Sequence, residues 1–322
     1  MSAPTTTPPP APAAPTTSTK PVQQAGDRIF KGAATGAGVL ILVVLAGVAA
    51  FLVAQAIPAF AASAEQLPGG KNIVAYIGPL IFGTLLSAVI ALLIATPLGV
   101  CVALFITHYA PRRVAQGLGY VVDLLAAVPS IVYGLWGVAV LAPAALPFMG
   151  WLERWFGWLP FFAGPVSATG RTMLVVGVTL AVMILPIITA VSREVFLQTP
   201  KLHEEAALAL GATRWEMIRM AVLPFGRSGI VSGAMLGLGR ALGETMAVAI
   251  ILSGSGIVTF NLISSSNPSS IAANIALQFP DSTGVAVNVL IASGLVLFVI
   301  TLLVNSLARY IVNRRAEFSG AN

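Results

Sequence analysis

The 322 residues carry a formal net charge of +6, are 57% hydrophobic and only 9% charged, and have a mean hydropathy of +0.93. Soluble globular chains carry about 25% charged residues, so this chain cannot cover a water-facing surface, and its composition predicts an all-α polytopic membrane protein solvated mainly by lipid. Its positive residues are spread among loops between apolar runs, with no basic cluster beside stacking aromatics, which excludes a nucleic-acid partner.

Residues 1–27 are rich in Pro, Thr and Ala, and Lys20 is the only charge before Ala25. Such a segment cannot bury enough apolar surface to offset its ordering entropy, so a disordered cytoplasmic tail is expected. Residues 28–322 then form one transmembrane domain. A first span is predicted from about Thr35 to Ile57, after Arg28 and Lys31. Ala62-Ser63-Ala64 has the small residues of a cleavage site, but the apolar run exceeds the roughly 7–15 residues of a signal-peptide core, so it is read as uncleaved.

The second apolar run extends from Ile73 to about Thr107. Gly78-Pro79 is expected to start its true helix, because proline suits a first turn, and Pro97 to kink it. A third span is expected over about Gly119–Leu141. Between Ala142 and Gly170, Trp151, Trp155, Phe156, Trp158, Phe161 and Phe162 predict a loop with an interfacial helix. The fourth span covers about Thr172–Val191, and a polar stretch then runs from Ser192 to Arg227. The fifth span is expected over Ser228–Leu252, a Gly-, Ser- and Asn-rich loop or short helix over 253–284, and a sixth span over Val285–Val312.

Six spans put both termini on one side. With that side inner, the inner segments hold thirteen of the seventeen Lys and Arg, the outer ones hold Lys71, Arg154 and Arg171, and Arg240 falls within a span. The positive-inside rule therefore predicts a cytoplasmic location for both termini. Cys101, the single cysteine, has no disulfide partner, and His108 and His203 lie far apart, so all three are read as structural or solvated.

Two stretches carry chemistry. Glu204–Pro224 reads EEAALALGATRWEMIRMAVLP. Its first part favours helix, Gly211 breaks it, and a second helix is expected to start near Thr213 with Glu216 completing a capping box and to end before Pro224. The result is a compact polar knob within a loop over 193–227. In the fifth span, Arg240 and Glu244 are spaced i, i+4 and are expected to share a face and pair. A charged side chain inside the membrane costs about 2.5–3.5 kcal/mol or more, so such residues mark a substrate path or an internal ion pair. Arg offers a donor fork for an oxyanion, and Glu244 weakens its grip enough for release. Gly233-x3-Gly237 and Gly239-x3-Gly243 are read as close helix packing. Asp123 is read as a helix-end or gate residue.

Glu205-Ala206-Ala207, Gly211 and Leu223-Pro224 resemble the EAA loop of ABC-importer permeases, E-A-A-x3-G-x9-I-x-L-P, with Ala221 in place of the isoleucine. The stretches LLAAVPSIVYGLWG (Leu124–Gly137) and GRALGETMA (Gly239–Ala247) resemble the PstC-type permease subunits of phosphate-specific ABC importers, and the likeness covers residues 30–315. The resemblance implies a type I importer permease fold with six transmembrane helices in a bacterial inner membrane. It implies ATPase coupling through Glu205, Ala206, Ala207, Gly211, Leu223 and Pro224, and a translocation path past Arg240 and Glu244. It also implies a second related permease (PstA-type), a cytoplasmic ATPase dimer (PstB-type) and an external phosphate-binding protein (PstS-type). No Walker A motif occurs in the sequence, so ATP and Mg²⁺ are expected on the ATPase, with no cofactor and no enzymatic activity on this chain. The alternatives are a permease for sulfate or molybdate, an ion-coupled secondary carrier using Arg240 and Glu244, and a non-transporting structural or sensory subunit.

Overall fold

The computed structural model describes residues 25–67 and 70–316, so residues 1–24 of the expected tail lie outside the described residues. Contacts divide the chain into a unit ending at Phe51 and a second beginning at Leu52. Helix α1, Ala25–Ala61, starts in the first unit, where its apolar side chains from Val39 to Leu45 are exposed. Its first turn includes residues 25–27, expected to be tail.

The second unit is built from helices α2 (Ile73–Leu104), α3 (Arg112–Ala126), α4 (Ser130–Trp136), α5 (Ala142–Phe156), α6 (Met173–Leu197), α7 (Lys201–Ala209), α8 (Arg214–Met217), α9 (Leu223–Leu242), α10 (Met246–Ile251), α11 (Ile271–Gln278) and α12 (Val285–Ala316). Wide π turns join α4 to α5 and α8 to α9, so that six helices among the described residues are long and apolar enough to cross a membrane. They are Gly26–Ala61, Ile73–Tyr109, Ser130–Phe156, Met173–Leu197, Arg214–Leu242 and Val285–Tyr310. The chain is a multi-pass helical membrane protein.

Helix α6 is the axis of the core. Val175, Val176, Leu180, Met183, Ile184 and Ile188 are all buried, and α2 and α9 pack against it and against each other. In lipid the hydrophobic effect does not drive one apolar helix onto another, so close van der Waals approach through small residues does that work. A Cβ at Gly177 would stand 2.3 Å from an Ile90 side-chain carbon, one at Gly226 2.4 Å from Phe196, and one at Gly229 2.3 Å from Val195. Gly233 and Gly237 continue this stripe against Ile184, Ile188 and Val191. The expected pair Gly239 and Gly243 does not belong to it, because Gly239 has no neighbour within reach of an added Cβ.

The structure corrects several local expectations. Helix α2 begins at Ile73, not at Pro79, because the Asn72 side chain caps it by accepting the Ala75 amide at 2.8 Å. The third span starts at Ser130 rather than Gly119. Pro129 breaks the helix there, leaving Arg112–Ala126 as a separate amphipathic helix and Asp123 exposed upon it. The third span continues from Ala142 to Phe156, where a loop with an interfacial helix was expected, and Trp151, Trp155 and Phe156 ride on its end. The 253–284 stretch holds the short helix α11 within a loop whose middle packs into the core. Ile263, Asn267 and Ile271 are fully buried, Thr84 Oγ1 on α2 accepts the Ile271 amide at 2.9 Å, and the Leu262 carbonyl accepts the Leu174 amide at 2.9 Å. Its serine and asparagine groups serve the backbone, which must find partners away from water.

Candidate functional site

Two neighbourhoods hold the residues singled out by sequence. The first is the knob between α6 and α9. Helix α7 ends in a Schellman turn: the Ala212 amide donates to the Ala207 carbonyl at 3.2 Å and the Gly211 amide to the Leu208 carbonyl at 3.0 Å. This closure needs the left-handed backbone that Gly211 supplies, with φ +85°. Helix α8 opens with the expected capping box. Thr213 Oγ1 accepts the Glu216 amide at 3.3 Å, and Glu216 Oε2 accepts the Thr213 amide at 2.8 Å.

The second helix of the knob does not end before Pro224. It runs through a π turn, Ile218–Val222, in which the Leu223 amide reaches back to the Ile218 carbonyl, and continues as α9. The wide turn accommodates a proline that cannot donate and whose ring crowds the preceding turn. The second helix of the knob and the fifth span are therefore one continuous helix. A small core of Ala103, Leu104, Phe196, Met217, Ile218 and Val222, with Ala207 and Leu223 packed on it, joins the knob to α2 and α6. His108, at the end of the second span, faces Glu204 of α7 with Nε2 and Oε1 3.6 Å apart.

The structure thus divides the coupling candidates. Ala207 and Leu223 face the small core, Gly211 makes the turn, and Glu205, Ala206 and Pro224 are exposed. Around them Leu202, Leu210, Trp215 and Met220 are also exposed, with Leu210 at 90%. An apolar patch on a polar knob has the character of a docking surface.

The second neighbourhood is where two spans break beside each other. Helix α9 ends at Leu242, two residues after Arg240, and the chain turns through Gly243 before α10 begins at Met246. Glu244, 7% exposed, lies in the turn, and its Oε1 accepts the Ala247 amide at 3.0 Å. The expected i, i+4 pairing is therefore corrected: no ion pair within 4.0 Å joins Arg240 to Glu244 among the described residues. The carboxylate caps the orphan amides of a new helix instead. Arg240 remains half-buried, making no hydrogen bond among the described residues. Tyr133 spans the break before α4 by donating to the Leu125 carbonyl at 2.8 Å. Gly134 lets α10 press against α4, since a Cβ there would meet the Ala247 Cα at 2.8 Å. A permanent cation thus stands at the point where α9 breaks before α10.

Sequence reasoning counted Arg171 only as an outer cation. In the structure it donates to the carbonyls of Ile250 and Ile251 at the end of α10. Nothing in its local sequence signals that contact, which joins positions about eighty residues apart.

Residues 95–317 match the family model for the binding-protein-dependent transport system inner membrane component. The chain is 45% identical over 304 residues to the phosphate transport system permease protein PstC 2 of Mycobacterium tuberculosis (strain ATCC 25618 / H37Rv), covering 91% of this chain and 93% of that protein. It is 44% identical to PstC of Mycobacterium leprae (strain TN), over 90% and 94%, and 39% identical to PstC of Mesorhizobium japonicum (strain LMG 29417 / CECT 9101 / MAFF 303099), over 92% of each. Among solved structures, the fold is similar to that of an inward-facing MetNI methionine ABC transporter, with TM-score 0.51 and 17% identity over 75% of this chain and 95% of that one. It is also similar to a bacterial ABC transporter involved in import of the acidic polysaccharide alginate, with TM-score 0.52 and 18% identity over 74% and 80%. Both likenesses give the type I ABC importer permease architecture. By fold and by a family match over most of its length, the chain belongs to the inner-membrane components of binding-protein-dependent transport systems, as a permease subunit.

Proposed function

We propose that this chain is the permease subunit of an ATP-driven importer for inorganic phosphate, supplying half the translocation path past Arg240 and Glu244. The observation that carries the substrate is its 39–45% identity, over 90–92% of its length, to relatives named phosphate transport system permeases. The half-buried Arg240 suits such a substrate, because a guanidinium offers a fork of donors and a charge no pH in the cell removes. Glu244, bound to the Ala247 amide, is a second nearby charge that keeps any stop on the path shallow.

The remaining parts follow from the same reading. Both termini and the α7–α8 knob lie in the cytoplasm. A PstB-type ATPase dimer, carrying ATP and Mg²⁺, takes the exposed face of Glu205, Ala206, Leu210 and Trp215 into its groove. Because α8 continues into α9, a push on the knob is delivered along one helix to Arg240. A PstA-type permease completes the path, and a PstS-type external protein delivers the phosphate.

The test is uptake of labelled phosphate into proteoliposomes holding the complete complex. Uptake should require ATP and the ATPase, persist with a proton uncoupler, and resist a large excess of sulfate or molybdate. R240Q should abolish it while the subunits still co-purify. Uptake without the ATPase, or suppression by sulfate, refutes the assignment.

A further inference from the structure

Arg171 donates from Nε to the Ile251 carbonyl at 3.0 Å and from Nη2 to the Ile250 carbonyl at 2.5 Å. These are terminal carbonyls of α10, for which no following turn supplies donors. Ile251 is fully buried and Leu252 nearly so, which places this helix end in the core. At the opposite end, Glu244 accepts the Ala247 amide. The short helix is thus held between a carboxylate at its positive end and a guanidinium at its negative end, the order its dipole favours.

A built turn aims Arg171. Gly170 adopts φ +70°, and a Cβ there would stand 2.3 Å from the Ala142 carbonyl oxygen. Thr172, on the other side, is fully buried and caps α6 by accepting the Val175 amide at 3.4 Å. Helix α10 in turn abuts α4, with Ala247 against Gly134. Slack at Ile250 and Ile251 therefore moves Ala247, and with it the Glu244 carboxylate bonded to its amide.

We propose that Arg171 is a positioning residue for transport: by gripping the last carbonyls of α10 it sets where Glu244 stands relative to Arg240. The inference rests on the reading that Arg240 and Glu244 border the anion path. A lysine ammonium is a point donor on a flexible stem and cannot reproduce a two-pronged grip, and glutamine supplies neither the charge nor the fork.

The experiment uses the complete complex in proteoliposomes and combines phosphate uptake with thiol labelling. Labelling is read at M246C, the exposed first residue of α10, after the single native thiol is removed by C101S. R171Q is expected to lower maximal uptake about tenfold, as loss of charged hydrogen bonds implies, with KM for phosphate within about twofold. Co-purification of the subunits should be unchanged, and labelling at position 246 should speed up severalfold, with R171K falling between. Uptake and labelling equal to those of the parent overturn the proposal. So does a loss of uptake that tracks loss of assembled complex with labelling unchanged, the mark of a purely structural role. R240Q and E244Q separate the two layers. If both transport normally, the path reading fails and this inference falls with it. If both abolish uptake while R171Q behaves as wild type, the positioning role alone is wrong.

Discussion

Gly211 offers the sharpest test of how the knob works. Its φ of +85° closes the Schellman turn between α7 and α8, and nothing lies within 4 Å of where a Cβ would be. A substitution there meets no clash, so its cost is conformational alone. Left-handed backbone costs an L-residue with a Cβ roughly 1–2 kcal/mol, and more when the side chain is β-branched. That corresponds to a roughly 5–30-fold shift in the population of the native turn. Asn tolerates this backbone better than Ala, and Ala better than Val. Transport coupling, read as phosphate imported per ATP hydrolysed in proteoliposomes, should therefore fall in the order G211N, G211A, G211V. The spans should insert and assemble as before, because the turn packs against nothing that would change. A G211V complex that imports wild-type amounts of phosphate per ATP refutes the reasoning, as does a series ordered by side-chain size with asparagine worse than alanine.

Four further outcomes are expected. T213A removes one half of the capping box at α8 and should cost about 0.5–2 kcal/mol locally, lowering uptake severalfold less than G211V does in the same assay. E204Q should change uptake by less than about twofold, because a pair 3.6 Å apart and partly exposed is worth at most about 1 kcal/mol. G134V drives side-chain atoms into the Ala247 backbone 2.8 Å away, an overpacking cost of about 1–3 kcal/mol, and should reduce the yield and melting temperature of the detergent-solubilised complex. R240K keeps the charge but loses the fork, so phosphate uptake should drop by about tenfold with ATPase activity retained.

Composition and hydropathy alone determined that the chain is helical, that it lies in a membrane and that it crosses six times, because lipid admits helices whose backbone is satisfied within each segment. The knob was equally legible, since turn and capping chemistry act over three to six residues and Gly211, Thr213 and Glu216 stand at the right spacing. Only the tertiary structure decided what depends on distant partners. Sequence cannot tell a proline that breaks a helix from one that a helix absorbs: Asn72 carries α2 through Pro79, a π turn carries α8 past its expected stop at Pro224, and Pro129 instead separates α3 from the third span. Nor does i, i+4 spacing make a pair of Arg240 and Glu244 once Gly243 ends the helix between them and the carboxylate takes the Ala247 amide. The same holds for Arg171, whose two acceptors are brought to it by the folding of spans far apart in the chain, where long-range packing rather than local propensity selects the partner.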